Sequence, residues 1–481
     1  MLAECITRIT KGKLLSGEPD VEIEPSDIST DSRMIKKGGF FIALKGPNYD
    51  GNDFVGDAFE KGAVGALVGR VKGHPSASLG TGVPRVPPSP RGLRRTGKSR
   101  KKILIETKDT TRALQAIAAN HRNRFDIPVI CVTGSNGKTT VKDMISHVLS
   151  QKYSVLKTEG TKNNHIGVPQ TLLKIKKSHD ICVLELGANH GGEIRRLAEI
   201  ARPDTVVITN IGLAHLKFFH NLEGVFEAKK EALESLGRSG LAIINGDDPF
   251  LLKIKSGPFK IIRFGMKETN DFFAKSVSLG KEKVKFTLFH RRGISRPIRV
   301  GKFEMKLLGL HSVYNALAAV AVASQFDVSC ANLKRAFYYF SPPHMRLNPV
   351  KVKGLEIIND SYNSNPSSMR SALDILDDYP AESKWVVMGD MLELGKRSGL
   401  FHRDLGERIA KSDIQGLVTM GRLSRYTYLK ARACGMNSGN LWHCSNHHEV
   451  ARILKRRAKK GDAVLFKGSR AMEMEKVIEK L

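Results

Sequence analysis

An α/β protein of three domains is the fold class that this sequence predicts: a small α/β N-terminal domain, a central P-loop domain built on a parallel sheet, and a C-terminal doubly wound, Rossmann-like domain. Three observations predict it. The chain has 481 residues, too many for one hydrophobic core. Short apolar runs alternate with helical patterns along most of it, as a parallel sheet covered on both faces requires. One of those runs, residues 129–132, opens directly into Gly134-Ser-Asn-Gly-Lys-Thr-Thr140.

Taken in order, residues 1–106 read as the first domain. Gly39-Phe-Phe-Ile-Ala-Leu44 is a strand, residues 53–61 a helix and residues 63–68 another strand. Residues 73–100, rich in Pro, Gly, Ser and Arg, cannot bury much and are expected to be a mobile insert. An amphipathic helix over 111–124 leads into the central domain, 107–343. There strands are expected at 129–133, 181–186, 206–210 and 241–245, and helices at 139–150, 193–199 and 222–236. Residues 259–308 read as a basic meander and 312–325 as an Ala-rich helix. Ser341-Pro-Pro343 marks a boundary. The last domain, 344–481, alternates again, with strands at 385–389, 416–420 and 463–466.

The loop at 134–140 carries the first chemistry. A strand that breaks at glycine and resumes as a helix aims backbone N–H groups and a helix N-terminus at one spot, where an anion sits. Lys138 adds a point charge for phosphate and Thr139 a hydroxyl for Mg²⁺. The common P-loop has four residues between its first glycine and the Gly-Lys pair, but Val132 stands where that glycine would be. This is a shorter loop, Gly134-x-x-Gly137-Lys138-Thr139. Further candidates sit at strand ends, where open α/β sheets place ligands. Glu185 closes a buried strand; alone it would be read as a salt-bridged strand end. His215 follows the next strand, and a lone histidine is more often a plain loop residue. Together beside a phosphate loop they favour a Mg²⁺ site, although Mg²⁺ prefers oxygen and the imidazole is the weaker half of that reading. Glu227-Ala-Lys-Lys-Glu231 alone would be a solvated charged helix face.

The short loop resembles the nucleotide loop of the Mur ligase family. Five ordered segments extend the resemblance over nearly the whole chain: residues 161–171 (Thr-Lys-Asn-Asn-His-Ile-Gly-Val-Pro-Gln-Thr), residues 185–193 (Glu-Leu-Gly-Ala-Asn-His-Gly-Gly-Glu), Asn359-Asp-Ser-Tyr-Asn-Ser-Asn-Pro366, Val387-Met-Gly-Asp-Met-Leu-Glu-Leu-Gly395 and Lys467-Gly-Ser-Arg470. They are most similar to the members that join D-Ala-D-Ala to UDP-MurNAc-tripeptide. That resemblance implies ATP and Mg²⁺ as cofactors. Gly134, Ser135, Asn136, Gly137, Lys138, Thr139 and Thr140 would hold the ATP phosphates. Asn315, in His311-Ser-Val-Tyr-Asn315, would read adenine, Asp360 would contact ribose, and Arg346 would reach the γ-phosphate. Thr139, Glu185 and His215 would bind metal, as would Lys229 if carbamylated. Ser29, Asp31, Ser32 and Arg33, with residues 41–46, would bind the uridine nucleotide. Asn163 and Asn164 would contact the muramoyl-peptide, and Asn363, Asn365, Lys467, Ser469 and Arg470 would be candidates for the incoming dipeptide side. The candidate catalytic set is Lys138, Glu185, His215, Lys229 and Arg346. Arg346 and Lys138 lie on either side of the 341–343 boundary, so closure of the last domain is expected to assemble the site. Two departures stand out: Asp50-Gly51-Asn52 where the family commonly has Asp-Gly-His, and an insert longer than the family connection.

Bulk properties bound the alternatives. The formal charge of +30 admits a nucleic-acid-stimulated P-loop ATPase. However, the basic stretch between Lys61 and Ile105 has no interleaved aromatics for base stacking, so no specific nucleic acid is expected. Another Mur-type amide ligase, adding one amino acid to UDP-MurNAc-dipeptide or glutamate to folate, is the nearer rival. Asn163-Asn164 and residues 359–366 favour the dipeptide-adding reading. No run of about 18 apolar residues is present, so no membrane insertion is expected. The six cysteines show no metal spacing, and Cys131 and Cys182 fall in core strands. A cytoplasmic monomer is expected.

Overall fold

The computed structural model describes residues 1–70, 101–255, 257–291, 293 and 296–481. The basic insert expected over 73–100 lies outside the described residues. The first strands are β1 (Lys13–Ser16), β2 (Ile28–Ser29), β3 (Phe40–Ile42), β4 (Gly65–Gly69) and β5 (Ile103–Thr107). Next come β6 (Val129–Thr133), β7 (Val155–Lys157), β8 (Ile181–Glu185), β9 (Thr205–Ile208), β10 (Leu241–Asn245), β11 (Lys260–Gly265), β12 (Phe272–Leu279), β13 (Val284–His290) and β14 (Ile298–Met305). The last are β15 (Asn348–Val352), β16 (Leu355–Asp360), β17 (Lys384–Gly389), β18 (Gly416–Met420), β19 (Leu441–Cys444) and β20 (Ala463–Lys467). They form three sheets.

The chain divides into two compact units. One comprises Met1–Val129, Leu156–Leu186 and Arg196–Arg202. Its sheet runs β1-β5-β4-β3-β2, with only the β1–β5 pair antiparallel. β3 is buried along its length, and Phe41 packs with Ile35, Val55 and Ala58. The expected helix over 53–61 is a 3-10 turn, Gly51–Phe54, followed by helix Val55–Glu60. Gly51 is forced there, because a Cβ would lie 2.6 Å from the Leu44 backbone. Helix Thr110–Arg122 starts where the Asp109 carboxylate accepts the Arg112 N–H. β8 is buried at every residue, which explains its unbroken apolar sequence up to Glu185.

The other unit comprises Ile130–Val155, Gly187–Arg195 and Pro203–Leu481. Within it one sheet runs β14-β13-β12-β11-β10-β9-β6. β6, β9, β10, β11 and β12 are parallel neighbours in turn, whereas β12–β13 and β13–β14 are antiparallel. The meander expected over 259–308 is thus confined to its last three strands, since β11 joins β12 in parallel. Helices Lys138–Leu149 and Leu310–Ala323 pack on each other, the second almost wholly buried and rich in Ala and Val. The helix expected over 222–236 is α-helical only for Leu222–Lys230 and tightens to a 3-10 segment, Glu231–Ser235. The Glu231 side chain is committed elsewhere, accepting the backbone N–H groups of Gly192 and Arg195.

The last sheet runs β15-β16-β20-β17-β18-β19, parallel except for β15–β16. Alternate residues of β17 feed opposite cores. Val386 and Met388 join Met369, Leu373 and Leu405 on one face, and Trp385 and Val387 join Val450 and Leu454 on the other. This is the doubly covered arrangement that the apolar strands predict.

Candidate active site

β6 ends at a loop stitched to the segment after β9. Gly134 has φ +137°, and a Cβ there would lie 2.1 Å from Thr209 Oγ1. Gly137 has φ +81° and caps helix Lys138–Leu149. Both positions therefore need glycine. Ser135 N–H donates to the Asn210 carbonyl at 2.9 Å, and Asn136 N–H to Asn210 Oδ1 at 3.1 Å. Thr209 Oγ1 and Asn210 Nδ2 both donate to the Asn136 carbonyl, at 2.6 and 3.0 Å. The Ser135 hydroxyl bonds both polar groups of Gly212. Thr209 and Asn210 were not singled out in the sequence, yet they fix the loop shape. Lys138 Nζ folds over the loop and donates to the carbonyls of Gly134 and Ser135 at 2.8 and 3.2 Å. Thr139 and Thr140 occupy the first turn of the helix, with Thr139 buried.

Arg346 reaches this loop across 207 residues of sequence: its Nη2 donates to Thr139 Oγ1 at 3.0 Å. Its guanidinium stacks over Tyr362, 4.1 Å from the ring centroid. Asn315 is buried on helix Leu310–Ala323, with Oδ1 only 2.9 Å from where a Gly137 Cβ would stand. Its neighbour Tyr314 donates to Asp247 at 2.9 Å. Thus Arg346, Asn315 and residues 134–140 converge on one place.

Lys229 is 1% exposed. Burial pushes its ammonium from 10.5 down to about 7, the charge of Lys138 acts the same way, and Glu231 and Glu193 oppose it. His215 has its Nδ1 2.6 Å from Glu393 Oε2, and the His215 bond holds that carboxyl below its usual range. Glu393 lies in the segment 387–395 but carried no expected role. Metal-binding histidines commonly present one nitrogen while a carboxylate holds the other.

The C-terminal candidates divide. Lys467 is fully buried, paired with Asp360 across the β16–β20 register, and donates to the Asn363 carbonyl at 3.0 Å. Asn363 Oδ1 accepts its neighbour Ser364 N–H. Asn365 caps helix Pro366–Asp378 in a reciprocal box with Ser368, and its Nδ2 donates to Asn136 Oδ1 at 2.8 Å. It therefore ties the phosphate loop to the C-terminal third. Ser469 Oγ accepts the Leu392 N–H at 2.8 Å. Arg470 pairs with Glu475 at 2.7 Å and lies against Met345 Sδ.

In the first unit, Asn163 Nδ2 donates to Glu185 Oε1 at 2.7 Å. The other oxygen, Oε2, is buried with no hydrogen-bond partner among the described residues. An orphaned carboxylate oxygen is costly unless something positive meets it. Asn164 caps the turn into helix Gly167–Leu172 by accepting from Ile166 and Gly167. Asp31 takes Arg33 in two bonds, at 2.9 and 2.8 Å, which together with the Arg33 backbone N–H lower its carboxyl to about 2. Ser29 exchanges bonds with the Asp31 backbone, and Ser32 is buried. Gln170 Nε2 donates to Thr30 Oγ1 at 2.7 Å, linking the segments 161–171 and 29–33. Asn52, at the family's histidine position, accepts the Gly69 N–H at 3.2 Å.

Among the described residues no group of three or more His, Cys, Asp or Glu gathers into a ready cage. A cage is not what Mg²⁺ needs, since it usually binds through one or two carboxylates and substrate phosphates. The orphaned Glu185 oxygen fits such a cation. No helix among the described residues is long and apolar enough to cross a membrane.

The Mur ligase middle domain matches residues 132–323, and the Mur ligase glutamate ligase domain matches residues 345–470. The chain is 35% identical to UDP-N-acetylmuramoyl-tripeptide–D-alanyl-D-alanine ligase of Bacillus subtilis (strain 168), over 99% of this chain and 97% of that protein. The protein of that name from Escherichia coli (strain K12) is 32% identical, over 100% and 99%. A crystal structure of MurF from Acinetobacter baumannii superposes with a TM-score of 0.83 at 30% identity, covering 100% of this chain and 98% of that one. MurF ligase from Thermotoga maritima in complex with ADP superposes with a TM-score of 0.77 at 27% identity, covering 95% and 97%. With full-length identity at this level and both family domains matched in order, the first of them containing the loop, the chain belongs to the Mur ligase family.

Proposed function

We propose that this chain is an ATP-dependent amide ligase that adds D-Ala-D-Ala to UDP-MurNAc-tripeptide, making the pentapeptide precursor of peptidoglycan. The observation that carries the reading is the short phosphate loop met by Arg346 at Thr139, in a chain similar end to end to ligases of that name. It works as three domains, 1–106 for the UDP-linked substrate, 107–343 for ATP and 344–481 for the dipeptide side. It acts as a monomer in the cytoplasm.

A carboxylate is a poor electrophile. Transfer of the ATP γ-phosphoryl group to a carboxylate oxygen of the tripeptide gives an acyl phosphate and ADP. The amine of D-Ala-D-Ala then attacks the acyl carbon. The C–O bond to phosphate breaks, phosphate leaves with that oxygen, and the amine proton passes to solvent. Lys138 and Arg346 neutralise phosphoryl charge, and loop N–H groups with the helix N-terminus fix the phosphates. Asn315 and Asp360 position the nucleoside. Ser29, Asp31, Ser32 and Arg33 hold the uridine nucleotide, and Asn163 and Asn164 the muramoyl-peptide. Asn363, Asn365, Lys467, Ser469 and Arg470 lie on the dipeptide side; of these Asn365 acts chiefly through its cap and its bond to Asn136.

Thr139, Glu185 and His215 are the residues that would hold Mg²⁺, with Lys229 once its amine has added CO₂ to give a carbamate and a proton. When bound, Mg²⁺ supplies positive charge to the phosphate oxygens. Burial suits Lys229 to carbamylation, because the neutral amine is the form that reacts.

The test is phosphate release from ATP and Mg²⁺ with UDP-MurNAc-tripeptide, with and without D-Ala-D-Ala, and mass spectrometry of the product. Release that needs both substrates, with pentapeptide formed, supports the proposal. Product formed instead with a single amino acid, or turnover stimulated by RNA or DNA, rejects it.

A further inference from the structure

The loop after β17, residues 390–395, has no role in the chemistry above, yet it is bonded almost residue by residue. Asp390 Oδ1 accepts the N–H groups of Leu423 and Ser424 at 3.0 and 2.7 Å. Its carbonyl accepts the Ser469 N–H at 3.0 Å. Met391 N–H donates to His402 Nε2 at 3.1 Å, and His402 Nδ1 lies 2.7 Å from the Ser398 carbonyl. Those two bonds set the buried His402 ring with Nδ1 as donor and Nε2 as acceptor. Leu392 N–H donates to Ser469 Oγ, and the Glu393 carbonyl accepts the Lys217 N–H at 2.9 Å.

This scaffold holds out one group, the Glu393 carboxylate, 2.6 Å from His215 Nδ1. Both residues of the pair stand in the left-handed region, His215 at φ +52° and Glu393 at φ +61°. The pair is partly open to solvent, with the Glu393 side chain 44% exposed. A partly exposed contact of this kind returns about 1 kcal/mol at most, less than two non-glycine left-handed residues cost, so a purely stabilising surface contact does not account for it. Strain of this kind collects at functional sites.

We propose that Glu393 is a positioning residue for His215. It accepts a hydrogen bond from Nδ1–H, so that Nε2 is the nitrogen left to meet a divalent cation, and it fixes the ring for that contact. The proposal rests on His215 being a metal ligand, as in the function proposed above. Because Glu393 follows β17 and His215 follows β9, the C-terminal third then sets the cation affinity of a ligand belonging to the central part of the chain.

The experiment uses the full chain with ADP, and Mn²⁺ as the probe. Mn²⁺ titrations followed by electron paramagnetic resonance compare wild type, Glu393→Ala, Glu393→Gln and His215→Ala. Long-range ¹H–¹⁵N spectra report the tautomer of the resonance that His215→Ala removes. Glu393→Ala is expected to weaken Mn²⁺ by about ten- to hundredfold, and Glu393→Gln by less, because it keeps an acceptor. Glu393→Ala also moves the His215 ring away from a single Nδ1–H tautomer. If Glu393→Ala and Glu393→Gln both bind Mn²⁺ within about twofold of wild type while His215→Ala is weakened beyond that range, Glu393 has no positioning role and the ligand assignment survives. If His215→Ala itself binds as wild type does, the ligand assignment fails and this proposal fails with it.

Discussion

Lys229 gives the sharpest quantitative prediction. A lysine 1% exposed and held at about 7 rather than 10.5 carries a charged-state penalty of about 5 kcal/mol, at 1.36 kcal/mol per pH unit. The sign follows from proton binding. Between pH 7 and 10.5 the unfolded chain holds the proton and the folded chain has largely released it, so folded stability rises with pH. The gain is complete above the unfolded value and is lost as pH falls through about 7. Lys229→Met removes the titration while keeping a chain of similar length. In buffer freed of CO₂, so that no carbamate forms, urea unfolding at pH 7 and pH 9 should show wild type gaining about 2 kcal/mol on Lys229→Met. A wild-type-minus-variant difference that stays constant between the two pH values would mean that Lys229 is not held neutral by its burial. The same shift leaves about nine in ten of the amines neutral at pH 8, against a few in a thousand for an ordinary lysine. Bicarbonate should therefore activate the wild type and leave Lys229→Met unchanged.

Other expectations follow from particular contacts. Arg346→Ala removes the reach to Thr139 and the stacking on Tyr362, and should lower kcat by about a hundredfold or more, with stability little changed; steady-state kinetics with varied ATP checks this. Gly134→Ala sets a Cβ against Thr209 in a left-handed backbone and should abolish ADP binding measured by calorimetry. Asn365→Ala loses the helix cap, about 1 kcal/mol by urea unfolding, and should also raise KM for ATP through its contact with Asn136. Asp31→Asn breaks an exposed pair with Arg33, so stability should change by less than about 1 kcal/mol while KM for the UDP-linked substrate rises.

What the sequence disclosed, and what it hid, has a physical basis. β6, β10 and β18 were legible to the residue, because fully buried parallel strands are unbroken apolar runs ended by polar or glycine residues. β15 was missed: Asn348-Pro-Val-Lys-Val352 is an exposed antiparallel edge strand, with proline and lysine and no apolar run to mark it. β19 is four residues long and half open, too short to carry a period. At the site, the phosphate loop announced itself because glycine, lysine and threonine are local necessities. Glu393 did not, since its meaning lies in a histidine 178 residues away. Thr209 and Asn210 were equally silent, because hydroxyl and amide side chains after a strand look like any turn. Asn365 was expected on the dipeptide side, and nothing in the sequence showed that its side chain also caps a helix and braces Asn136.

In the proposed reaction a peptide carboxylate is activated as an acyl phosphate before D-Ala-D-Ala attacks it. The direct measurement is to supply UDP-MurNAc-tripeptide labelled with ¹⁸O in its terminal carboxylate, together with ATP, Mg²⁺ and D-Ala-D-Ala, and to weigh the phosphate released. Acyl-phosphate formation puts one ¹⁸O in each phosphate and leaves a pentapeptide that has lost one. Unlabelled phosphate, released whether or not D-Ala-D-Ala is present, would contradict it.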